Sequence, residues 1–181
     1  MEQRKRLPLL ALSLSVLLAA GGCFLFTPSN TVDGVTYEFP RSYGLVSQQL
    51  ERGLDDVERP TAHHRDGATA IGVTVGDKGA FKSPADLAGL LRQQYQESKY
   101  AKGAVFSDIT SQPFTDENRT VAGARFTQRK ELLGIATEVV FHIYVVEGAT
   151  KEAMVLFVSG PDVVIDAAHP FGGVLRSMRV P

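Results

Sequence analysis

The most restrictive feature of this sequence is the run of residues 135–146, which is apolar on both of its alternating sides. In an extended chain its larger side chains fall into two sets, Val139, Phe141, Ile143 and Val145 on one side and Val140, His142, Tyr144 and Val146 on the other. A strand with two largely apolar faces needs a covering layer on each of them. The run therefore predicts a central strand in a layered fold.

Two further extended segments lie directly before and after this run. Residues 119–132 alternate in character, and residues 152–159 are mainly apolar. The connections are short, and Glu147-Gly148-Ala149-Thr150 is a turn sequence. Because strands joined by short turns pair with their neighbours in antiparallel fashion, we predict an antiparallel meander of three long strands between residues 119 and 159.

One helix is clearly indicated after residue 82. Ser83-Pro84-Ala85-Asp86 is a helix start, in which the serine caps, the proline suits the first position and the aspartate closes a capping box. An apolar stripe follows at helical spacing: Leu87, Leu90, Leu91 and Tyr95. The helix is expected to run to about Lys99 and to stop before Gly103.

The rest of the chain supplies weaker elements. Residues 34–39 and 68–75 alternate as half-buried strands, residues 109–115 form a weak strand, and residues 161–180 contain a helix entered near Pro170. Residues 51–67 are polar and are predicted to form a long loop. The fold class expected from these elements is α+β, an antiparallel sheet flanked by helices.

The first 22 residues have the parts of a bacterial lipoprotein signal. Arg4, Lys5 and Arg6 form a basic start, residues 7–20 are apolar, and small residues lead to Cys23, the only cysteine. The apolar stretch is shorter than the roughly 20 residues that span a bilayer. We expect residues 1–22 to be removed and Cys23 to be lipidated, so that the protein is extracytoplasmic, on a periplasmic or outer membrane face. The alternatives are an ordinary secretory signal and an uncleaved anchor with an incidental cysteine.

Behind the leader we expect a tether over residues 23–33 and one domain over residues 34–181. An acylated Cys23 leaves no thiol for a disulfide, so the domain must depend on its core. The leader carries three basic residues and one acidic one, so its removal takes the formal net charge from −1 to −3. This slightly acidic balance gives no support for nucleic-acid binding or for electrostatic docking on anionic lipid.

Two segments carry a resemblance to a known family. They are Tyr37-Glu38-Phe39-Pro40-Arg41-Ser42-Tyr43 and Phe171-Gly172-Gly173-Val174-Leu175-Arg176-Ser177-Met178-Arg179-Val180. With the order of elements between them, they resemble the PsbP-like family, which includes the Mog proteins and bacterial lipoproteins of the LpqN and DcrB type. The resemblance implies an α/β/α-type sandwich over residues 34–181. Because this fold serves unrelated roles, the resemblance implies no site residues and little about function.

Several polar clusters are candidates for chemistry. His63-His64 with Asp66 suggests a metal, but adjacent residues of an extended chain point in opposite directions, so a solvated loop is the preferred interpretation. Asp55, Asp56 and Glu58 lack the order of a calcium loop and are expected in a charged surface turn. No nucleophile motif is present. We expect no metal and no cofactor.

His142 in the central strand is interpreted as a core residue with one satisfied hydrogen bond, and Arg125 or Arg129 is its candidate partner on a neighbouring strand. A concave surface left open by the sheet, edged by residues 51–67, is a candidate binding surface. Its candidate residues are Tyr37, Tyr43, Arg125 and Arg129, with His142 as a further ligand-binding candidate, and the alternative is that these are ordinary rim residues.

Together these patterns predict a non-catalytic, lipid-anchored envelope protein that binds a partner protein or a small ligand. Two alternatives stay open. One is an envelope hydrolase that uses His142 or the His63-His64 loop, and the other is a carrier of an apolar ligand.

Overall fold

The computed structural model describes residues 27–98, 101–132 and 135–181. The predicted signal, Cys23 and the first part of the tether lie outside the described residues.

Strands dominate the described part of the chain. They are β1 Ser29–Val32, β2 Val35–Glu38, β3 Gly44–Arg52, β4 Glu58–Asp66, β5 Thr69–Asp77, β6 Val105–Phe106, β7 Thr110–Ser111, β8 Phe114–Thr115, β9 Thr120–Leu132, β10 Ile135–Glu147 and β11 Lys151–Ser159. The helices are α1 Pro84–Glu97 and α2 Pro170–Ser177. The protein is therefore of the α+β class, as predicted.

The main sheet is antiparallel and has the strand order β3-β4-β5-β11-β10-β9-β6, and the short strands β7 and β8 also pair with β9. The predicted meander is confirmed, because β10 pairs with both β9 and β11. Strands β1 and β2 form a separate hairpin. Residue 142 of β10 lies opposite Arg125 of β9 and Phe157 of β11.

Both faces of the sheet are covered, as the two apolar sides of β10 require. On one face, Leu87, Ala88 and Leu91 of α1 pack in a cluster with Phe126, Phe141 and Ile143 of the sheet. On the other face, the β1–β2 hairpin and α2 pack on Tyr144, Val155 and Phe157. The central position predicted for residues 135–146 is confirmed.

The start of α1 agrees with its capping sequence. The Ser83 hydroxyl accepts a hydrogen bond from the Asp86 amide at 3.2 Å, and Pro84 occupies the first turn. The helix ends at Glu97, slightly before the predicted Lys99, because Ser98 has extended backbone angles and its amide donates to the Tyr95 carbonyl. Helix α2 begins at Pro170, as predicted.

The predicted long loop over residues 51–67 is wrong. Most of this segment belongs to β3 and β4, which pair along nearly their whole length, and only residues 53–57 form a turn. Asp56 in this turn has a φ of 62°, which aspartate tolerates better than most residues. The sequence of these two strands is polar because helix α1 packs on β9 and β10, so the face of β3 and β4 that lies beside the helix is not covered by it.

The fold also begins earlier than residue 34. Residues 29–32, expected in the tether, form β1, and Val32 is buried in the core. Pairing of β1 with β2 satisfies backbone groups that a free tether would leave to water.

Candidate functional site

The histidine predicted as a core residue is fully buried, and both of its ring nitrogens have partners. The His142 Nδ1 lies 2.7 Å from the Gln112 Oε1, and the Nε2 lies 3.0 Å from the Ser159 Oγ. Because a carbonyl oxygen only accepts, the Nδ1–H donates to Gln112, and the Nε2 can accept from the Ser159 hydroxyl. The partner expected from the sequence, Arg125, lies opposite it in register but is exposed.

This trio has the distances of a nucleophile, a base and an orienting group, but its environment does not suit catalysis. Burial, with smaller contributions from Arg125 and His169, lowers the pKa of His142 to about 4. A general base works best with a pKa near the working pH. Ser159 is also buried, at 2% exposure, so a substrate has no access to its hydroxyl in this conformation.

His63 and His64 are separated by the sheet itself, because they are neighbours on strand β4 and alternate between its faces. The His64 Nε2 and the Tyr37 hydroxyl are hydrogen-bonded at 2.8 Å, and Phe39 packs on the imidazole ring at a centroid distance of 4.1 Å. His63 pairs instead with Glu51 at 2.7 Å. The predicted solvated loop is therefore wrong. Among the described residues, no group of three or more potential ligands is placed to hold a metal.

One acidic residue of the β3–β4 turn, Asp55, is paired with an arginine. Asp55 accepts two hydrogen bonds from Arg59, at 2.6 Å and 2.7 Å. Chiefly through these bonds, the pKa of Asp55 falls to about 2. The Arg59 guanidinium also lies over the Phe81 ring, 5.1 Å from its centroid. The Asp55 carboxylate is thus already paired with a cation of this protein, the Arg59 guanidinium.

The weak binding candidates Tyr43, Arg125, Arg129 and His142 do not form one surface. Tyr43 is buried, donates to the Thr69 hydroxyl and packs edge-on against Phe171. The Tyr43 side chain contacts Thr69 at the start of β5, whereas Arg125 and Arg129 are exposed on β9, three strands further along the sheet.

A recess that the sequence did not indicate lies on the α1 face of the sheet, between the helix and the β3–β4 turn. We call it the α1 groove. Its apolar lining is Leu54, Leu87, Leu91, Ile143, Met154 and Leu156. Leu54 reaches from the turn between two hollows of about 130 Å³ and about 70 Å³ and lines both of them.

Polar side chains surround the α1 groove. Arg59 and Asp55 stand at the smaller hollow together with Lys82, and Arg52 and Gln94 stand at the larger one. An apolar floor with a polar rim is the arrangement found at protein interfaces. Pockets that enclose a drug-sized ligand measure roughly 300–1,000 Å³. Hollows this small instead have room for individual apolar side chains.

One of the predictions from the sequence concerns a segment that lines the α1 groove. The segment 51–67 is predicted to edge a binding surface, and its residues Gly53, Leu54, Asp55 and Arg59 do line the α1 groove. The groove lies beside α1, however, and not on a face left without helices. Nothing in the spacing of Leu54, Leu91 and Met154 along the chain could have associated them.

None of the described helices is long and apolar enough to cross a membrane.

Comparison with models of known protein families and with curated proteins finds no match to this chain. Among solved structures, a crystal structure of a protein from Bacteroides thetaiotaomicron is similar to it, with 11% sequence identity and a TM-score of 0.43. The similarity covers 81% of this chain and 45% of that one, so the chain spans less than half the length of that structure. The function of the site is therefore inferred from its own side chains.

Proposed function

We propose that this chain is a lipid-anchored protein of the bacterial cell envelope, with a non-catalytic domain that binds a partner protein through the α1 groove. Residues 1–22 are its export signal, and acylated Cys23 is its anchor. The basic start, the apolar stretch and the small residues before the lone cysteine support this part of the proposal. The domain then works on a periplasmic or outer membrane face.

The proposed domain family is the PsbP-like one, with its α/β/α-type sandwich. In support of this, the two segments that carry the resemblance pack against each other. The Glu38 amide donates to the Ser177 hydroxyl at 2.9 Å, and Tyr43 packs against Phe171 at a centroid distance of 5.9 Å.

The α1 groove is the observation that carries the binding proposal. Its apolar hollows can each accept a side chain of a partner, and burial of such anchor side chains provides most of the affinity of a typical interface. The Arg59–Asp55 pair and Gln94 offer hydrogen bonds around them. A carrier of an apolar ligand is less well supported at the α1 groove, since its hollows are smaller than the roughly 300–1,000 Å³ of pockets that enclose a small molecule.

A hydrolase based on His142 is also less well supported. The imidazole and the Ser159 hydroxyl are buried, and the low pKa of His142 makes it a weak base at neutral pH. Both partners of the ring are explained by the need to satisfy a buried polar group.

The anchor is tested by Cys23→Ser in producing cells supplied with a labelled fatty acid. We expect the label to be lost and the protein to leave the membrane fraction. A variant that stays membrane-bound with its label unchanged would contradict the anchor.

The binding site is tested by a photo-crosslinking amino acid placed at position 94, on the rim of the α1 groove, in intact cells. Position 96 of the same helix is also exposed but does not line the groove, and it is the matched control. We expect a discrete crosslinked product from position 94 that is absent from position 96.

A second change makes this test specific. Leu54→Arg, which places a charge between the two hollows, should remove the crosslinked product while the purified variant still unfolds cooperatively. Equal products from positions 94 and 96, or a product that persists in Leu54→Arg, would rule out the groove as the binding site.

A further inference from the structure

The domain has a second recess, at the place where the described chain begins. This recess has a volume of about 340 Å³ and lies between the end of β2 and helix α2. We call it the tether cavity. Thr27, the first described residue, lines it together with Glu38, Phe39, Arg176, Ser177 and Arg179.

Two arginines give the tether cavity its positive charge. Arg176 and Arg179 are both exposed and line it, and the carboxylate on its wall is that of Glu38. Within the described residues, neither arginine forms a salt bridge. Their side chains donate to backbone carbonyls, from Arg176 to Ala167 and from Arg179 to Arg176 and Met178.

A third arginine adds charge nearby. The Arg119 Nη1 donates to the Met178 carbonyl at 3.4 Å, and its Nη2 is buried without a hydrogen-bond partner among the described residues. The charge of Asp116 interacts with those of Arg119 and Arg176, but no salt bridge joins it to either arginine among the described residues. A guanidinium that is not held in a carboxylate salt bridge is suited to phosphate, which it binds through two parallel N–H bonds.

The length of the tether determines what this cavity faces. Thr27 follows Cys23 by four residues, and even a fully extended chain covers at most about 14 Å over that distance. With the acyl chains of Cys23 in a bilayer, the tether cavity must stay close to the lipid headgroups. That distance is comparable to the Debye length of about 10 Å in physiological salt, so its charges act on the membrane surface.

We propose that the tether cavity binds the phosphate of an anionic phospholipid headgroup, with Arg176 and Arg179 as its ligands. The inference rests on the proposed anchor at Cys23. Binding would fix the orientation of the domain, with α2 towards the membrane and the α1 groove, on the opposite face of the sheet, towards the envelope space.

The chain contains no tryptophan, so a single introduced one reports on its own surroundings. Phe39→Trp places the reporter in the tether cavity, and Phe106→Trp on the far strand β6 is the control. The lipidated full chain is reconstituted into vesicles with brominated acyl chains, either of phosphatidylcholine alone or with one part in three of phosphatidylglycerol. We expect quenching of the cavity reporter to be at least twofold greater in the anionic vesicles and quenching of the β6 reporter to be the same in both.

Charge variants assign the effect to the cavity. Arg176→Gln with Arg179→Gln should reduce quenching of the cavity reporter to its level in phosphatidylcholine. Arg129→Gln with Lys102→Gln removes the same charge from exposed positions outside the cavity and should leave the twofold difference intact. Arg176→Lys with Arg179→Lys keeps the positive charge but loses the bidentate guanidinium, and it should retain part of the twofold difference in quenching.

Vesicle flotation distinguishes failure of the proposed anchor from failure of the proposed headgroup site. Protein that does not float with vesicles contradicts the anchor. Protein that floats but shows equal quenching of the cavity reporter in both lipids, or an unchanged difference in the Gln variant, overturns the headgroup site alone. The lipid source is likewise overturned if inorganic phosphate changes the emission of the cavity reporter equally in neutral vesicles.

Discussion

Tyr144 of β10 occupies the space that a side chain at Gly123 of β9 would need. The two residues lie opposite each other in register, and a Cβ atom built on Gly123 would overlap the tyrosine ring and the Gln112 carbonyl oxygen. The absence of a side chain at residue 123 thus allows a fully buried tyrosine to lie across the centre of the sheet.

Gly123→Ala should therefore destabilise the domain by on the order of 3 kcal/mol, as expected for overpacking against backbone and a rigid ring. Gly44→Ala is the matched control, since a Cβ at Gly44 meets nothing within 4 Å. Urea unfolding of the two variants measures the difference. Equal unfolding midpoints would show that the ring moves aside at little cost.

Two buried histidines should make stability fall in mild acid. Burial lowers the pKa of His64 and of His142 to about 4, from an ordinary value of 6.5. Between pH 6.5 and 4 the unfolded chain binds protons at these sites and the native protein does not, so the free energy of unfolding decreases as the pH falls through that window. Each unit of difference is worth about 1.4 kcal/mol per histidine.

Urea titrations from pH 7.5 to pH 4 check this dependence. His142→Asn should remove part of the slope in that window, and a double variant with His64→Asn should remove more. A double variant with the slope of the wild type would show that other groups are responsible.

The cap of α1 should contribute about 1 kcal/mol to stability. Ser83→Ala removes the acceptor of the Asp86 amide and should cost about that amount in thermal or urea unfolding. Ser83→Thr keeps a hydroxyl that can accept from the Asp86 amide and donate to the Asp86 carboxylate, as the serine does at 2.7 Å, and should retain most of the stability. If both changes cost the same, the hydrogen bond is not the cause.

Loss of the Asp55–Arg59 pair should loosen the rim of the α1 groove. Asp55→Asn removes a carboxylate that is 36% exposed, so solvent screening limits the cost to about 1 kcal/mol. Since the pKa of Asp55 is about 2 in the folded protein against 3.8, the wild type should lose this contribution as the pH falls from 3.8 towards 2, and the variant should not. A pH series of unfolding midpoints compares the two proteins.

The meander β9–β11 and helix α1 could be predicted because each has a pattern that only one structure satisfies. Strand β10 is apolar on both sides and needs two covering layers, and α1 has a capped start followed by an apolar stripe. Strands β3 and β4 lack such a pattern. Their face beside α1 carries Gln49, Thr61 and His63, and the register shifts between Leu45 and Ser47, which interrupts the alternation.

The candidate site could not be predicted from local patterns in the sequence, because it depends on how distant segments pack together. Tyr43 and Arg125 are polar side chains beside or within predicted strands, but the fold buries Tyr43 against β5 and leaves Arg125 exposed on β9, three strands away. The α1 groove combines a leucine from a turn with side chains from a helix and two strands, which only the packing of α1 on β9 and β10 brings together.

The joining of the two ends of the domain has a consequence for its biogenesis. Val35 and Tyr37 share one core cluster with Val174 and Leu175, and Thr36 exchanges backbone hydrogen bonds with Arg179. A growing chain cannot complete this cluster until helix α2 and Arg179 have been made, and contacts so distant in sequence form slowly. The core on this face of the sheet should therefore stay incompletely packed while residues 38–170 are being synthesised, and it should become rigid only once residues 171–179 are free to dock on β2.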